Sequence, residues 1–155
     1  MAALKATIEM ETPRLFRATG YTGAVVPIHS PREGAIRMGP GPMEMMLLGV
    51  GGCTAIDIVD ILEKARETVE SFRVEMEAEK AKELPAVFTR IHMKYVVRGN
   101  VKEGTVKRAI DLSMEKYCSA SIMLKRGGVQ VTTSYEVVKP GKSPRIKNQI
   151  PHPKE

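Results

Sequence analysis

Between Glu44 and Asp57 the chain carries no charged residue, and the segment around this gap has the pattern of one long helix. Pro42 suits its first turn, where a missing N–H would have no partner anyway, and the pattern runs to about residue 66. At about 100° per residue, Leu47, Leu48, Gly51, Ala55, Ile58, Val59 and Leu62 share one broad face. The opposite face carries Met46, Gly49, Cys53, Asp57 and Asp60. A helix this apolar belongs in an interior, buried on both sides. Gly49, Gly51 and Gly52 each cost about 1 kcal/mol relative to Ala inside a helix, and close approach of another backbone is the simplest compensation. One small sheet cannot cover so much surface, so the helix is expected at the centre of an obligate homodimer.

Strand patterns flank it. Residues 2–10 alternate loosely, and 14–19 and 24–28 are two more short strands parted by Gly20 and Gly23. Residues 29–41, with Pro31, Gly34, Gly39, Pro40 and Gly41, read as loop. After the helix, Phe72, Val74, Met76 and Ala78 alternate with charged residues over 71–81. Phe88, Ile91, Met93, Tyr95 and Val97 form a second apolar series over 86–99. Both patterns suit an antiparallel sheet with one wet face. Asn100 and Glu103 are placed as a capping box for a helix to about residue 117, with Val106, Ala109, Ile110, Ser113, Met114 and Tyr117 inside. Ser119 is expected to cap a short helix over 120–126, which Gly127 and Gly128 end, before a last strand over 129–138. The order β-β-β-α-β-β-α-α-β is α+β, not a doubly wound sheet. It gives one domain over residues 1–138 and a tail over 139–155.

The net charge of +6 invites a nucleic-acid reading until the charge is located. Lys139, Lys142, Arg145, Lys147 and Lys154 against Glu155 put +4 in the proline-rich tail, leaving +2 for residues 1–138. The tail therefore reads as a solvated extension, or as an arm for an acidic partner. With no Trp, and rings only at Phe16, Phe72, Phe88 and four tyrosines, a base-stacking surface is not expected. No apolar run reaches about 18 residues without a Gly or Asp interrupting it, which argues against a membrane span. Residues 1–5 lack a signal pattern, so the expectation is a cytoplasmic protein.

Chemistry rests on two cysteines, Cys53 and Cys118. Without a secretory pattern they do not read as the disulfide of an exported domain. Lacking a Cys-x-x-Cys or His-rich context, they do not read as a zinc site either. His29, His92 and His152 fall in a loop, a strand and the tail and are not expected to be ligands. A buried, inert thiol is the ordinary fate of a cysteine. Cys53, however, follows Gly51 and Gly52 in mid-helix, where another group can come close. Cys118 sits just before a helix start, where the dipole favours a thiolate. Local electrostatics alone make Cys118 the more acidic thiol, and a reactive Cys53 needs a cation from elsewhere. Asp57 and Asp60 read as solvated or paired with Lys64. Met38, Met43, Met45 and Met46 are adaptable core or a flexible apolar entrance to a thiol site.

The stretch Gly-Pro-Met-Glu-Met-Met-Leu-Leu-Gly-Val-Gly-Gly-Cys-Thr-Ala-Ile-Asp-Ile-Val at 41–59 resembles the central-helix motif of the OsmC/Ohr family. Leu-Ser-Met-Glu-Lys-Tyr-Cys-Ser at 112–119 resembles its second-cysteine motif. The element order is similar over about residues 1–138. The resemblance implies antiparallel strands around a long central helix, in an intertwined homodimer. It further implies a thiol peroxidase that reduces organic hydroperoxides in oxidative-stress defence, with Cys53 peroxidatic and Cys118 resolving. That division reverses the dipole reading. Glu44 falls near the family's glutamate, whose arginine partner would here be Arg37, Arg32 or Arg17. Met43 stands directly after Pro42, and Ser119 rather than proline follows Cys118, departures that place the chain in a less characterised OsmC-like branch. No metal or organic cofactor is implied; a dithiol or thioredoxin-like protein would be the reductant. The alternative is a non-catalytic binding module of the same fold, its Met-lined pocket holding a small apolar ligand.

Overall fold

The structure, a computed structural model, describes residues 3–141. Its elements are β1 (Thr7–Thr12), β2 (Leu15–Thr19), β3 (Val25–His29), α1 (Pro42–Lys64), β4 (Thr68–Lys80), β5 (Phe88–Asn100) and α2 (Glu103–Leu112). A π-helical turn (Ser113–Tyr117), α3 (Ser119–Arg126) and β6 (Gln130–Val138) follow. The chain divides after Cys53 into two compact units. The architecture is α+β, with two small sheets and one long helix, as the element order implies.

The first unit holds an antiparallel meander, β1-β2-β3. Arg14 turns the chain between β1 and β2 in the left-handed region, φ 74°. Its guanidinium donates to the Ser30 carbonyl and hydroxyl, which fixes that conformation. β3 runs one residue further than its pattern suggests, so His29 closes the strand instead of sitting in a loop. It is buried there because its Nδ1 accepts the Met38 N–H at 2.9 Å, folding the following loop back over it. The same loop returns a bond from His29 N–H to the Pro40 carbonyl at 3.0 Å. Gly39 allows this fold-back, since a Cβ there would stand 2.7 Å from the Pro27 carbonyl oxygen.

α1 begins where Glu44 reaches back to accept the Gly41 N–H at 3.2 Å, one half of a capping box. Val50, Thr54, Ile58 and Leu62, spaced four apart, form its buried stripe. The rest of the circumference differs from expectation. Met46 and Leu48 are each 50% exposed, Ile56 is 66% exposed, and a Cβ at Gly49 or Gly52 would meet nothing within 4 Å. The described residues therefore cover one side of α1 only, and none of them brings another backbone against Gly49 or Gly52. By length and composition alone α1 is long and apolar enough to span a bilayer despite its internal Gly and Asp residues, a test that the core helix of a soluble protein also passes.

In the second unit β5 is the central strand of a β4-β5-β6 sheet. β4 and β5 pair antiparallel from Thr68↔Asn100 to Lys80↔Phe88. β6 pairs parallel to β5, from Arg90↔Gln130 to Arg98↔Val138, where an antiparallel sheet is expected. The reason is the connection: α2 and α3 carry the chain from the end of β5 back to its start, a crossover that delivers a parallel strand. Ile91, Met93, Tyr95 and Val97 of β5 are fully buried with Ile58 and Leu62 of α1 and Val106 and Ala109 of α2. Each large apolar side chain so buried contributes roughly 1.5–3 kcal/mol. His92, on the other face of β5, is held by Thr132 Oγ1 at 2.7 Å and Ser134 Oγ at 2.9 Å.

The helix ends also differ from their sequence reading. Asn100 pairs with Thr68 as the last residue of β5, so it is not available to cap α2. Lys102 takes that position without a side-chain cap, its own N–H satisfied by Glu67 Oε2 at 3.3 Å. α2 stops at Leu112, and the chain widens into the π turn, closed by Cys118 N–H to the Ser113 carbonyl at 2.8 Å. Cys118, not Ser119, then caps α3: its sulfur accepts the Ser121 N–H at 3.4 Å. β6 ends at Val138, where its pattern ends. Most of the basic tail lies outside the described residues, beginning at 142.

Candidate functional site

Cys53 sits in the middle of α1, half-buried, and Asp57 lies one turn further along the same helix, also half-buried. Cys118 is completely buried at the junction of the π turn and α3. The two sulfurs and a carboxylate oxygen of Asp57 all lie within 4.8 Å of one another. The fold thus brings together the two cysteines singled out in the sequence and adds an acid to them.

Asp57 is held by a buried hydroxyl chain. Ser113 Oγ donates to Asp57 Oδ2 at 3.0 Å, which uses its one proton. Thr54 Oγ1 lies 3.1 Å from Ser113 Oγ and 2.9 Å from Tyr95 OH, whose proton is also directed at Met93 Sδ, 3.7 Å away. Tyr95, Thr54, Ser113 and Asp57 thus form one run of hydrogen-bonded groups ending on the carboxylate. Asp57 is half-buried and held by Ser113, and among the described residues no ion pair joins it to Lys64. A hydroxyl at each of three otherwise apolar positions is the signal that could have found it: Thr54 within the uncharged stretch, Ser113 on the inner stripe of α2, Tyr95 in the apolar series of β5.

Burial pushes the Tyr95 phenol up to about 12, with Cys118 and Asp57 adding to the shift and the Thr54 hydrogen bond opposing it. An unfolded chain releases that proton near the ordinary value of about 10. The folded protein thus holds the phenol proton more tightly, and this contribution to stability is complete below pH of about 10 and lost as pH rises toward about 12. We expect unfolding free energy to drop by up to about 3 kcal/mol over that interval, and Tyr95→Phe to lack this part of the drop. Urea unfolding of both proteins from about pH 9 upward measures the difference; parallel curves would assign the pH dependence to other groups.

The remaining candidates are engaged elsewhere. Glu44 is exposed and caps the helix through Gly41. Arg37 Nη1 donates to the His29 carbonyl at 3.1 Å. Arg17 pairs with Glu11 at 2.9 Å, and Arg32 lines a cavity of about 430 Å³ with Arg14 and His29. Among the described residues no ion pair joins Glu44 to Arg37, Arg32 or Arg17. 

The chain matches the family model described as OsmC-like protein over residues 33–134. Over 100 residues it is 48% identical to Protein YhfA of Escherichia coli K12, covering 64% of this chain and 74% of that one. Among solved structures, a hypothetical protein from Aquifex aeolicus superposes with a TM-score of 0.80 at 27% identity, covering 90% of this chain and 98% of the other. An organic hydroperoxide resistance protein OsmC from Legionella pneumophila superposes with a TM-score of 0.66. At 17% identity, over 88% of this chain and 98% of that one, it is a likeness of fold. Since the matched span takes in both the uncharged helix with Cys53 and the turn with Cys118, the chain belongs to the OsmC-like family.

Proposed function

We propose that the protein is a thiol-dependent peroxidase acting on organic hydroperoxides, with Cys53 as the attacking and Cys118 as the resolving cysteine. The observation that carries this reading is the approach of the two sulfurs within 4.8 Å, one from the middle of α1 and the other from the junction of the π turn and α3. Exposure argues for the division of labour. Cys53 is partly open, whereas Cys118 is 0% exposed and cannot be the first to meet an alkyl hydroperoxide.

In this mechanism the Cys53 thiolate attacks the O–O bond. An S–O bond forms, the alkoxide leaves and is protonated to the alcohol, and Cys53 becomes a sulfenic acid. The Cys118 sulfur then attacks the Cys53 sulfur; the S–S bond forms, and hydroxide leaves with the Cys118 proton as water. Closing to the roughly 2.05 Å of a disulfide requires the side chains to rotate toward each other. A dithiol or thioredoxin-like protein returns both thiols. Arg37, Arg32 or Arg17, with Glu44, would supply the cation beside Cys53. The open side of α1, with Gly49, Gly52 and Ile56, supports a homodimer as the working form, and the reading places it in the cytoplasm.

Turnover of tert-butyl or cumene hydroperoxide with dithiothreitol tests the reading. Consumption well above that of Cys53→Ser is expected; equal rates would remove the peroxidase assignment. The second reading, a binding module whose thiols are incidental, draws on Glu44 and Arg37 being tied to Gly41 and His29. Equal rates together with saturable binding of an apolar ligand would favour it.

A further inference from the structure

Two thiols and a carboxylate within 4.8 Å are also a ligand set. Around tetrahedral zinc, bonds of about 2.3 Å to sulfur and about 2.1 Å to oxygen place neighbouring ligand atoms about 3.5–3.8 Å apart. The three atoms need to close by only about 1 Å to meet that geometry, and Cys53, half-buried on a helix surface, has the side-chain freedom to do so. The surroundings resemble those that hold metal ligands in place. Ser113 donates to Asp57 Oδ2, which orients the carboxylate and leaves Oδ1 for another partner. The Ser121 N–H donates to the Cys118 sulfur at the start of α3, which fixes the direction of that sulfur. The absence of a Cys-x-x-Cys argued against zinc only along the chain. Here Cys53 and Asp57 are neighbours four apart on one helix, and Cys118 arrives from another element.

We propose that Cys53, Asp57 and Cys118 form a binding site for a thiophilic divalent cation, with zinc the chemical match. Sulfur ligands exclude magnesium and calcium, which take oxygen. Three protein ligands leave the fourth position to water. Binding replaces the two thiol protons: Zn²⁺ and two thiols give a zinc dithiolate and two H⁺. The metal and a hydroperoxide compete for the same Cys53 sulfur, so bound zinc shields the pair from oxidation, and a Cys53–Cys118 disulfide releases it. The site does not depend on the peroxidase reading.

The test uses the reduced, chelator-stripped full-length protein, titrated with zinc against a chromophoric chelator, and with cobalt as a spectroscopic stand-in. One zinc per chain is expected, together with an ultraviolet thiolate-to-cobalt charge-transfer band and the visible bands of tetrahedral cobalt. Cys53→Ser, Cys118→Ser and Asp57→Asn should each weaken binding by about 10–100-fold, and diamide oxidation should abolish it. Because Cys118→Ser changes a fully buried position, the wild type supplies a further readout: stoichiometric zinc should slow maleimide alkylation of Cys53. No charge-transfer band, no protection, or unchanged affinity in Cys53→Ser would overturn the proposal, the last by moving the metal to histidines or the tail. Since no peroxide is present, zinc binding without turnover would end the peroxidase reading and keep this one; turnover without zinc binding would do the reverse.

Discussion

After stoichiometric peroxide, Cys118→Ser is expected to have consumed one equivalent and to carry the oxidation on Cys53. With no second thiol in reach, that sulfenic acid should climb to sulfinic acid under excess peroxide. Cys53→Ser should react at least about 100-fold more slowly, since the remaining thiol sits inside the core and access limits oxidation. The cap geometry sets up the competing outcome. Cys118 accepts the Ser121 N–H at a helix start, where the dipole is directed at the sulfur. Were acidity rather than access to govern, Cys118 would oxidise first and Cys53→Ser would keep a single turnover. Intact mass and peptide mapping of both variants separate the cases. Sulfinic acid confined to Cys118 would reverse the assignment of roles.

The second large effect concerns Ile56, which stands on the open side of α1. On a lone chain Ile56→Lys is a surface change, worth at most about 0.5 kcal/mol. If a second copy covers that side, the lysine is buried without a partner at a cost of about 3 kcal/mol or more, roughly a 100-fold weaker dimer. Sedimentation at low micromolar concentration is therefore expected to show a wild-type dimer and an Ile56→Lys monomer. Gly52→Ala gives an independent sign. In open space alanine should stabilise the helix by about 1 kcal/mol, whereas a packed backbone would make it destabilising. A wild-type monomer that Gly52→Ala stabilises would refute the dimer.

The course of α1 was legible because a gap in charge and a proline start are strong local signals. The later strands follow their alternation within a few residues, whereas the loose alternation over 2–10 put the start of β1 five residues too early, the strand running Thr7–Thr12. What the sequence could not supply is direction. Alternation of side chains over 129–138 is the same for a parallel as for an antiparallel strand, and only the route of the crossover decides. Leu48 illustrates a second limit: helical phase placed it with the inner residues, yet packing covers a narrower arc and leaves it half exposed. The cysteines were legible as a pair through their motifs, but the acid between them was not. Asp57 looked like a surface acid since its partner, Ser113, lies in a distant segment. Sulfur as a helix cap escaped for another reason: Ser119 is the stronger capper by preference, and the π turn shifts the helix start by one residue.

That turn bears on how such a site arises. A π turn is an α-turn widened by one residue, and here it sets Ser113, which serves Asp57, and the sulfur of Cys118 one hydrogen-bonded loop apart. Take out one of the exposed residues between them, Glu115, Lys116 or Tyr117, and the same N–H to carbonyl bond would close an ordinary α-turn, leaving Cys118 facing nearly as it does now. The turn can therefore lose its extra residue at the surface while its two buried ends, Ser113 and Cys118, keep their places.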